Sequence, residues 1–109
     1  MQKQDNFRFT SVADSTINGL SDTIVNFDAT SDSFTFSGID VHGGSIQYVG
    51  TNGFAGNNQA SAHIEHFGAG NDLLQIDIDG DGQMTAADMQ ISLTDYTGTL
   101  SGSNFLITA

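Results

Sequence analysis

The residues best equipped for chemistry lie in one twelve-residue stretch, Asp77-Ile-Asp79-Gly-Asp81-Gly82-Gln83-Met-Thr-Ala-Ala-Asp88. Laid on a twelve-residue calcium loop, it places Asp at the first, third, fifth and last positions. Gly82 falls at the sixth, where the chain must turn sharply, and the Gln83 carbonyl at the seventh. Carboxylates about 5 Å apart repel by roughly 3 kcal/mol per pair at an effective dielectric near 20, so four of them in one loop call for a cation. Ca²⁺ suits such a set better than Mg²⁺, because its coordination sphere is larger and more flexible. The expected ligands are therefore Asp77, Asp79, Asp81, Gln83 and Asp88. The alternative reading is a plain tight turn, since Asp-Gly-Asp-Gly serves a hairpin whether or not a metal is present.

Other candidate groups are weaker. Gly68-Ala-Gly-Asn-Asp72-Leu-Leu74 matches most of the calcium-binding nonapeptide of β-rolls, but a lone copy supplies half a site at most and reads as a turn entering a strand. In His63-Ile-Glu65-His66, alternation along a strand puts His63 and Glu65 on one face and His66 on the other, so the three do not converge on zinc. Asp14, Asp22, Asp28 and Asp32 could add a further cation site, though no spacing argument assembles them. No nucleophile elbow and no phosphate-binding glycine loop occurs, so an autonomous enzyme is not expected.

The elements that must position the acidic loop are strands. Leu74, Ile76 and Ile78 alternate with polar residues before it, and Met89, Ile91 and Leu93 after it. Shorter period-two stretches occur at 7–10, 23–27, 33–36, 45–49 and 62–67, each bounded by Gly, Asn, Asp or Ser, and an apolar run, Phe105-Leu-Ile107, closes the chain. No helix of ordinary length fits; Thr85-Ala-Ala-Asp88 allows one turn at most. The expected fold is all-β: a small, antiparallel-rich β-sandwich or β-roll cap, with the acidic loop between two strands. The glycine- and asparagine-rich segment near 50–59 is the expected flexible loop of a single domain spanning 1–109.

The 109 residues carry 13 acidic side chains against two basic ones, with no Cys and no Pro. Twelve of those acids are Asp and only Glu65 is Glu, which favours turns and hard-cation loops over generic surface charge. A net charge of −11 repels phosphate backbones and anionic lipid, and the apolar runs are too short to span a bilayer. Nucleic-acid binding and membrane insertion are set aside. Without Cys there are no disulfides and no thiol chemistry. The N-terminal residues lack the apolar core of a Sec-type signal peptide.

Beyond these local readings, three stretches of the first half resemble the segment that follows the β-roll in RTX exoproteins, the serralysin C-terminal domain. They are Asn6-Phe-Arg-Phe-Thr-Ser-Val-Ala-Asp14-Ser15, Asp22-Thr-Ile-Val-Asn-Phe27-Asp28 and Ser31-Asp-Ser-Phe34. Leu73-Leu-Gln-Ile-Asp77-Ile-Asp-Gly-Asp-Gly82, Met89-Gln-Ile-Ser-Leu93-Thr and Asn104-Phe-Leu-Ile107 are similar to the end of the same domain. The sequence departs from it in lacking the nonapeptide array, in the longer turn Gln83-Met-Thr-Ala-Ala87 and in carrying Asn104 where the family has an acid. The first departure leads us to expect that Met1 lies within a longer parent. A terminal-Asp loop is also similar to that of dockerin modules, which carry two copies, each followed by a helix.

The RTX resemblance implies a non-catalytic, calcium-binding cap on an upstream β-roll or catalytic domain of the same chain. It also implies a C-terminus read by a type I ABC exporter, a secreted, extracellular location, and folding outside the cell on calcium. The competing expectation is an extracellular adhesion or glycan-binding module, with Tyr48, Phe54 and Tyr96 around the 50–59 loop as its contact surface.

Overall fold

A computed structural model describes residues 6–11, 22–66, 71–84 and 88–108. Every expected strand among them forms: β1 (Asn6–Phe9), β2 (Asp22–Val25), β3 (Ser33–Ser37), β4 (Gln47–Tyr48), β5 (Ser61–His66), β6 (Asn71–Asp77), β7 (Met89–Thr94) and β8 (Phe105–Thr108). Two short 3-10 turns, at His42–Gly44 and Gly102–Asn104, are the helical pieces among the described residues. The helical turn considered at 85–88 falls largely outside the described residues, as do Asp14 and Gly68–Gly70 of the nonapeptide-like stretch. The strands form a three-stranded sheet, ordered β1-β3-β8, and a five-stranded sheet, ordered β2-β7-β6-β5-β4.

The all-β expectation holds, but the pairing is mixed rather than antiparallel-rich. β1–β3, β3–β8, β2–β7 and β4–β5 are parallel; β5–β6 and β6–β7 are antiparallel. The reason lies in the connectivity. The first four strands alternate between the two sheets, and a chain that crosses over and returns re-enters its first sheet in the same direction. Period-two alternation specifies which face a residue occupies but not the direction of the neighbouring strand, so it could not distinguish winding from folding back.

The inward faces of both sheets share one apolar cluster. In β7, Met89, Ile91 and Leu93 are fully buried while Gln90, Ser92 and Thr94 are half-buried, as the alternation requires. In the smaller sheet, in-register parallel pairing aligns Phe7, Phe34 and Phe105 in one row. Phe27, just beyond β2, inserts against that row: its ring is fully buried and stacks on Phe34 at 4.4 Å with the planes 5° apart. Phe34 in turn stacks on Phe105 at 5.5 Å, and Phe105 on Tyr48 at 5.9 Å. Each buried aromatic ring contributes about 1.5–3 kcal/mol through area removed from water, and stacked pairs add to this. The outer face of the same sheet is polar: the Asn6 amide donates to the hydroxyls of Ser33 (2.8 Å) and Thr35 (2.6 Å), and Arg8 donates to Ser37 (3.0 Å).

Asn104 is buried, and its amide group donates to the carbonyls of Ala29 (2.9 Å) and Asp32 (3.0 Å) while its side-chain oxygen accepts the Ser101 amide (2.9 Å). A carboxylate has no proton for those two carbonyls, so an acid at this position would not make the same pair of bonds.

Two outcomes are expected in urea unfolding. Phe27→Ala costs about 3–5 kcal/mol, because it empties a site that the surrounding rings cannot refill, whereas Leu106→Ser on the outer face stays within about 0.5 kcal/mol. Asn104→Asp costs about 1–3 kcal/mol by leaving two carbonyls facing an acceptor.

Candidate metal centre

β6 and β7 pair antiparallel up to Ile76 opposite Met89, so the next residues outward, Asp77 and Asp88, face each other where the strands separate. Strand register therefore brings together two residues eleven apart in sequence. Between them the chain must reverse within a few residues. Gly80 and Gly82 do this at φ +71° and +83°, a left-handed conformation that side chains with a Cβ rarely adopt. The reversal folds Asp79 and Asp81 back toward the strand ends.

The result is a cluster in which Asp77, Asp79, Asp81 and Asp88 each offer a carboxylate oxygen, all within 4.8 Å of one another. Backbone amides hold the carboxylates in place. Gly82 donates to Asp77 Oδ2 at 2.7 Å, Gln83 to Asp81 Oδ1 at 2.9 Å, and Ile78 to Asp88 Oδ1 at 2.9 Å. Longer contacts of 3.4 Å run from the Asp81 amide to Asp79 and from the Asp79 amide to Asp88. Asp77 and Asp88 are fully buried, and the second oxygen of Asp77, Oδ1, has no hydrogen-bond partner. A buried carboxylate oxygen without a donor is costly, and beside three other carboxylates its natural complement is a hard cation.

Electrostatics agrees with the geometry. Burial, opposed by the Gly82 amide and reinforced by the carboxylates of Asp79, Asp88 and Asp81, pushes the Asp77 carboxyl up to about 7. Burial also acts to raise Asp79, but its interactions with the neighbouring Asp77 carboxyl and the Asp81 amide outweigh it and hold Asp79 below the ordinary range.

Of the five ligands read from the sequence, the structure brings the four Asp together. Gln83 lies in the same loop with its side chain exposed and its amide on Asp81. What sequence reasoning missed is the support beneath them. Gly56–Gln59 forms a tight turn with Asn57 and Asn58 at φ +56° and +62°, closed by the Gln59 amide on the Gly56 carbonyl at 3.0 Å. The Asn58 amide donates to the Gly80 carbonyl at 3.0 Å, and a Cβ at Gly80 would lie 2.5 Å from the Asn58 carbonyl carbon. The Gly-Asn-Asn tripeptide was the available signal, since Asn tolerates the left-handed region better than most residues. The rest of the 50–59 segment is tied to β5: the Ala55 amide donates to Ser61 Oγ at 3.0 Å, and Phe54 stacks on His63 at 4.1 Å.

The remaining candidates do not assemble into a metal site. His63 and Glu65 share a face, 3.6 Å apart, while His66 turns away to Asp72 at 2.9 Å, as alternation required. The Asp28 and Asp32 carboxylates accept hydrogen bonds within their own turn, from the Thr30 amide and hydroxyl and from the Asp28 amide. Among the described residues Asp22 joins no acidic cluster that could hold an ion. Of the three aromatics considered for a contact surface, Tyr48 and Tyr96 both lie by Asp72, at the core, with Tyr48 also stacked on Phe105, while Phe54 lies apart on His63. Burial, with the Asp72 carboxylate next to it, pushes the Tyr96 phenol up to about 12.

Fold and site define an all-β module wound from parallel and antiparallel strands, with an acidic loop at one hairpin end. The family model described as Peptidase M10 serralysin C terminal matches residues 2–107, and the chain belongs to that family. It is thus a C-terminal module of RTX-type secreted proteins, a non-catalytic domain in a family associated with calcium-binding repeats. No curated protein and no solved structure matches the chain.

The raised Asp77 carboxyl contributes a pH dependence to the metal-free fold. Its folded value, about 7, exceeds the unfolded 3.8, so the folded state holds the extra proton and its contribution is fully present only below 3.8. It is lost as pH rises toward 7. With calcium chelated, the melting temperature is expected to fall between about pH 4 and 7, and Asp77→Asn to flatten that slope.

Proposed function

We propose that this chain is a calcium-binding C-terminal cap and type I secretion module of a larger bacterial exoprotein, and that it folds on calcium outside the cell. The observation that carries the reading is the buried, unpartnered Oδ1 of Asp77 among four carboxylates whose oxygens lie within 4.8 Å. Asp77, Asp79, Asp81 and Asp88, with the Gln83 carbonyl, would hold the ion. Calcium would supply the positive charge that the cluster lacks and tie the end of β6 to the start of β7.

Because the unfolded chain has no preformed site, binding free energy becomes folding free energy. A chain without Cys or Pro waits for neither disulfide formation nor proline isomerisation when it refolds after export. The type I exporter would read the C-terminus, with its apolar Phe105-Leu-Ile107, in the unfolded chain. The upstream β-roll would dock where β1 and β2, each the terminal strand of its sheet, leave a cleft of about 380 Å³ lined by residues 7–9 of β1 and 22–25 of β2, polar as well as apolar.

Calorimetric calcium titration of the chelator-stripped chain tests the reading, with Asp79→Ala/Asp81→Ala alongside and circular dichroism on both. Saturable binding is expected in the parent and lost in the double variant. At a hundredfold excess over Kd, calcium adds about 2.7 kcal/mol, a rise in melting temperature of about 10–20 °C for a domain of this size. Equal melting temperatures in chelator and in millimolar calcium would overturn it.

A further inference from the structure

Three turns from separate parts of the sequence are joined backbone to backbone, and the acidic loop is one of them. The His42 amide donates to the Ile78 carbonyl at 3.1 Å, the Ala60 amide to the His42 carbonyl at 2.9 Å, and the Asn58 amide to the Gly80 carbonyl at 3.0 Å. The Gly56–Gln59 turn sits on Gly80 with no room to spare: a Cβ there would lie 2.5 Å from the Asn58 carbonyl carbon and 2.6 Å from the Gln59 nitrogen. Gln59 anchors the turn from the other side. Its side-chain Nε2 faces two backbone carbonyls, of Ser45 at 2.9 Å and Ala60 at 3.0 Å, and since carbonyls only accept, these contacts fix it as the NH₂ end.

One peptide group links this turn to the carboxylates. The Gly80 carbonyl accepts from Asn58, and the N–H of that same peptide, on Asp81, faces Asp79 Oδ1 at 3.4 Å. Asp79 and Asp81 flank the group in sequence, and both belong to the cluster whose oxygens lie within 4.8 Å of one another. The fully buried Oδ1 of Asp77, which lacks a donor, points independently to an ion at the same place. Without an ion, repulsion among the carboxylates works to spread the reversal at Gly80 and Gly82. With one, Asp79 and Asp81 are held to a common centre, and the peptide between them is fixed in position and orientation. An amide engaged at its N–H also offers a stronger acceptor at its carbonyl.

We propose that the Gly56–Gln59 turn is a calcium-operated latch: an ion held by Asp79 and Asp81 locks the Gly80–Asp81 peptide, and that peptide holds Asn58, so that the ion and the turn stabilise each other. Asn58 and Gln59 are positioning residues here rather than ligands. The latch rests on calcium occupying the acidic loop, as proposed above, and it adds what that occupancy is coupled to, a turn 22 residues earlier in the chain. By linkage the coupling runs both ways: whatever grips the turn tightens calcium, and whatever frees the turn releases it.

Amide exchange of the whole chain, followed by NMR at several free calcium concentrations above Kd, tests the latch on the unmodified protein once calorimetry has established binding. Where release of Asn58 requires release of the ion, its exchange slows about tenfold for each tenfold rise in free calcium. The Asn104 amide, which bonds the Ser101 carbonyl at 3.0 Å in a turn of the smaller sheet, is expected to ignore calcium. Gln59→Ala removes the anchor without touching a carboxylate and is expected to weaken calcium binding about 10–100-fold, the range for groups that orient a metal's ligands. Phe9→Leu, whose ring stacks on Phe36 in the smaller sheet, controls for general loss of stability. Saturable binding with an Asn58 rate indifferent to calcium, or no more dependent on it than Asn104, overturns the latch and leaves the calcium reading intact. Binding by Gln59→Ala no weaker than by Phe9→Leu does the same. Absence of binding in the parent overturns both.

Discussion

The structure depends most on one constraint: like charges must be packed at the end of an apolar hairpin. β6 and β7 bury Leu74, Ile76, Met89, Ile91 and Leu93 completely, and the register that buries them also drives Asp77 and Asp88 together. The hydrophobic gain cannot be taken without the electrostatic cost, because a shift of one residue would turn every apolar side chain of the hairpin outward. The loop responds by spending backbone amides on the carboxylates. Those amides satisfy one oxygen of Asp77 and leave the other without a donor.

The winding of the chain has its own logic. In-register parallel strands stack like residues, and a row of Phe in successive strands is stabilising where a row of Asp would not be. Phe7, Phe34 and Phe105 occupy that row, and Phe27 closes it from the direction of the other sheet. The acids instead collect at turns, where Asp28 and Asp32 cap their own backbone. Aromatic rows and acidic turns are thus two consequences of one architecture, although Asp22, Asp72 and Asp77 lie within strands.

Much of this was legible before any coordinates. Alternation located the strands, because a half-buried strand has to show it, and the spacing of Asp77, Asp79, Asp81 and Asp88 located the acidic loop. Strand direction was not legible, since Phe34 and Phe36 alternate with polar residues identically whether their neighbours run parallel or antiparallel. Nor was the underside of the loop: the contact of Asn58 with Gly80 joins residues 22 apart through backbone groups, which no side-chain pattern encodes. The His63–Gln75 and Gln75–Gln90 hydrogen bonds were not legible either, for a related reason. Three polar residues on three strands become neighbours only once the register is known.

Charge balance decides what can neutralise the acidic loop. The chain has two basic residues, Lys3 and Arg8, and Arg8 donates to Ser37 on the outer face of the other sheet. Lys3 lies outside the described residues. Among the described residues no Lys or Arg side chain lies by the four carboxylates, so within them the compensating charge is left to a proton or a metal ion. A proton on Asp77 relieves one carboxylate and leaves three, and it does so less and less as pH approaches 7. A divalent cation would contact all four carboxylates, offset two of their charges and offer Asp77 Oδ1 a partner. Near neutral pH such an ion would match this donor set more completely than a proton does.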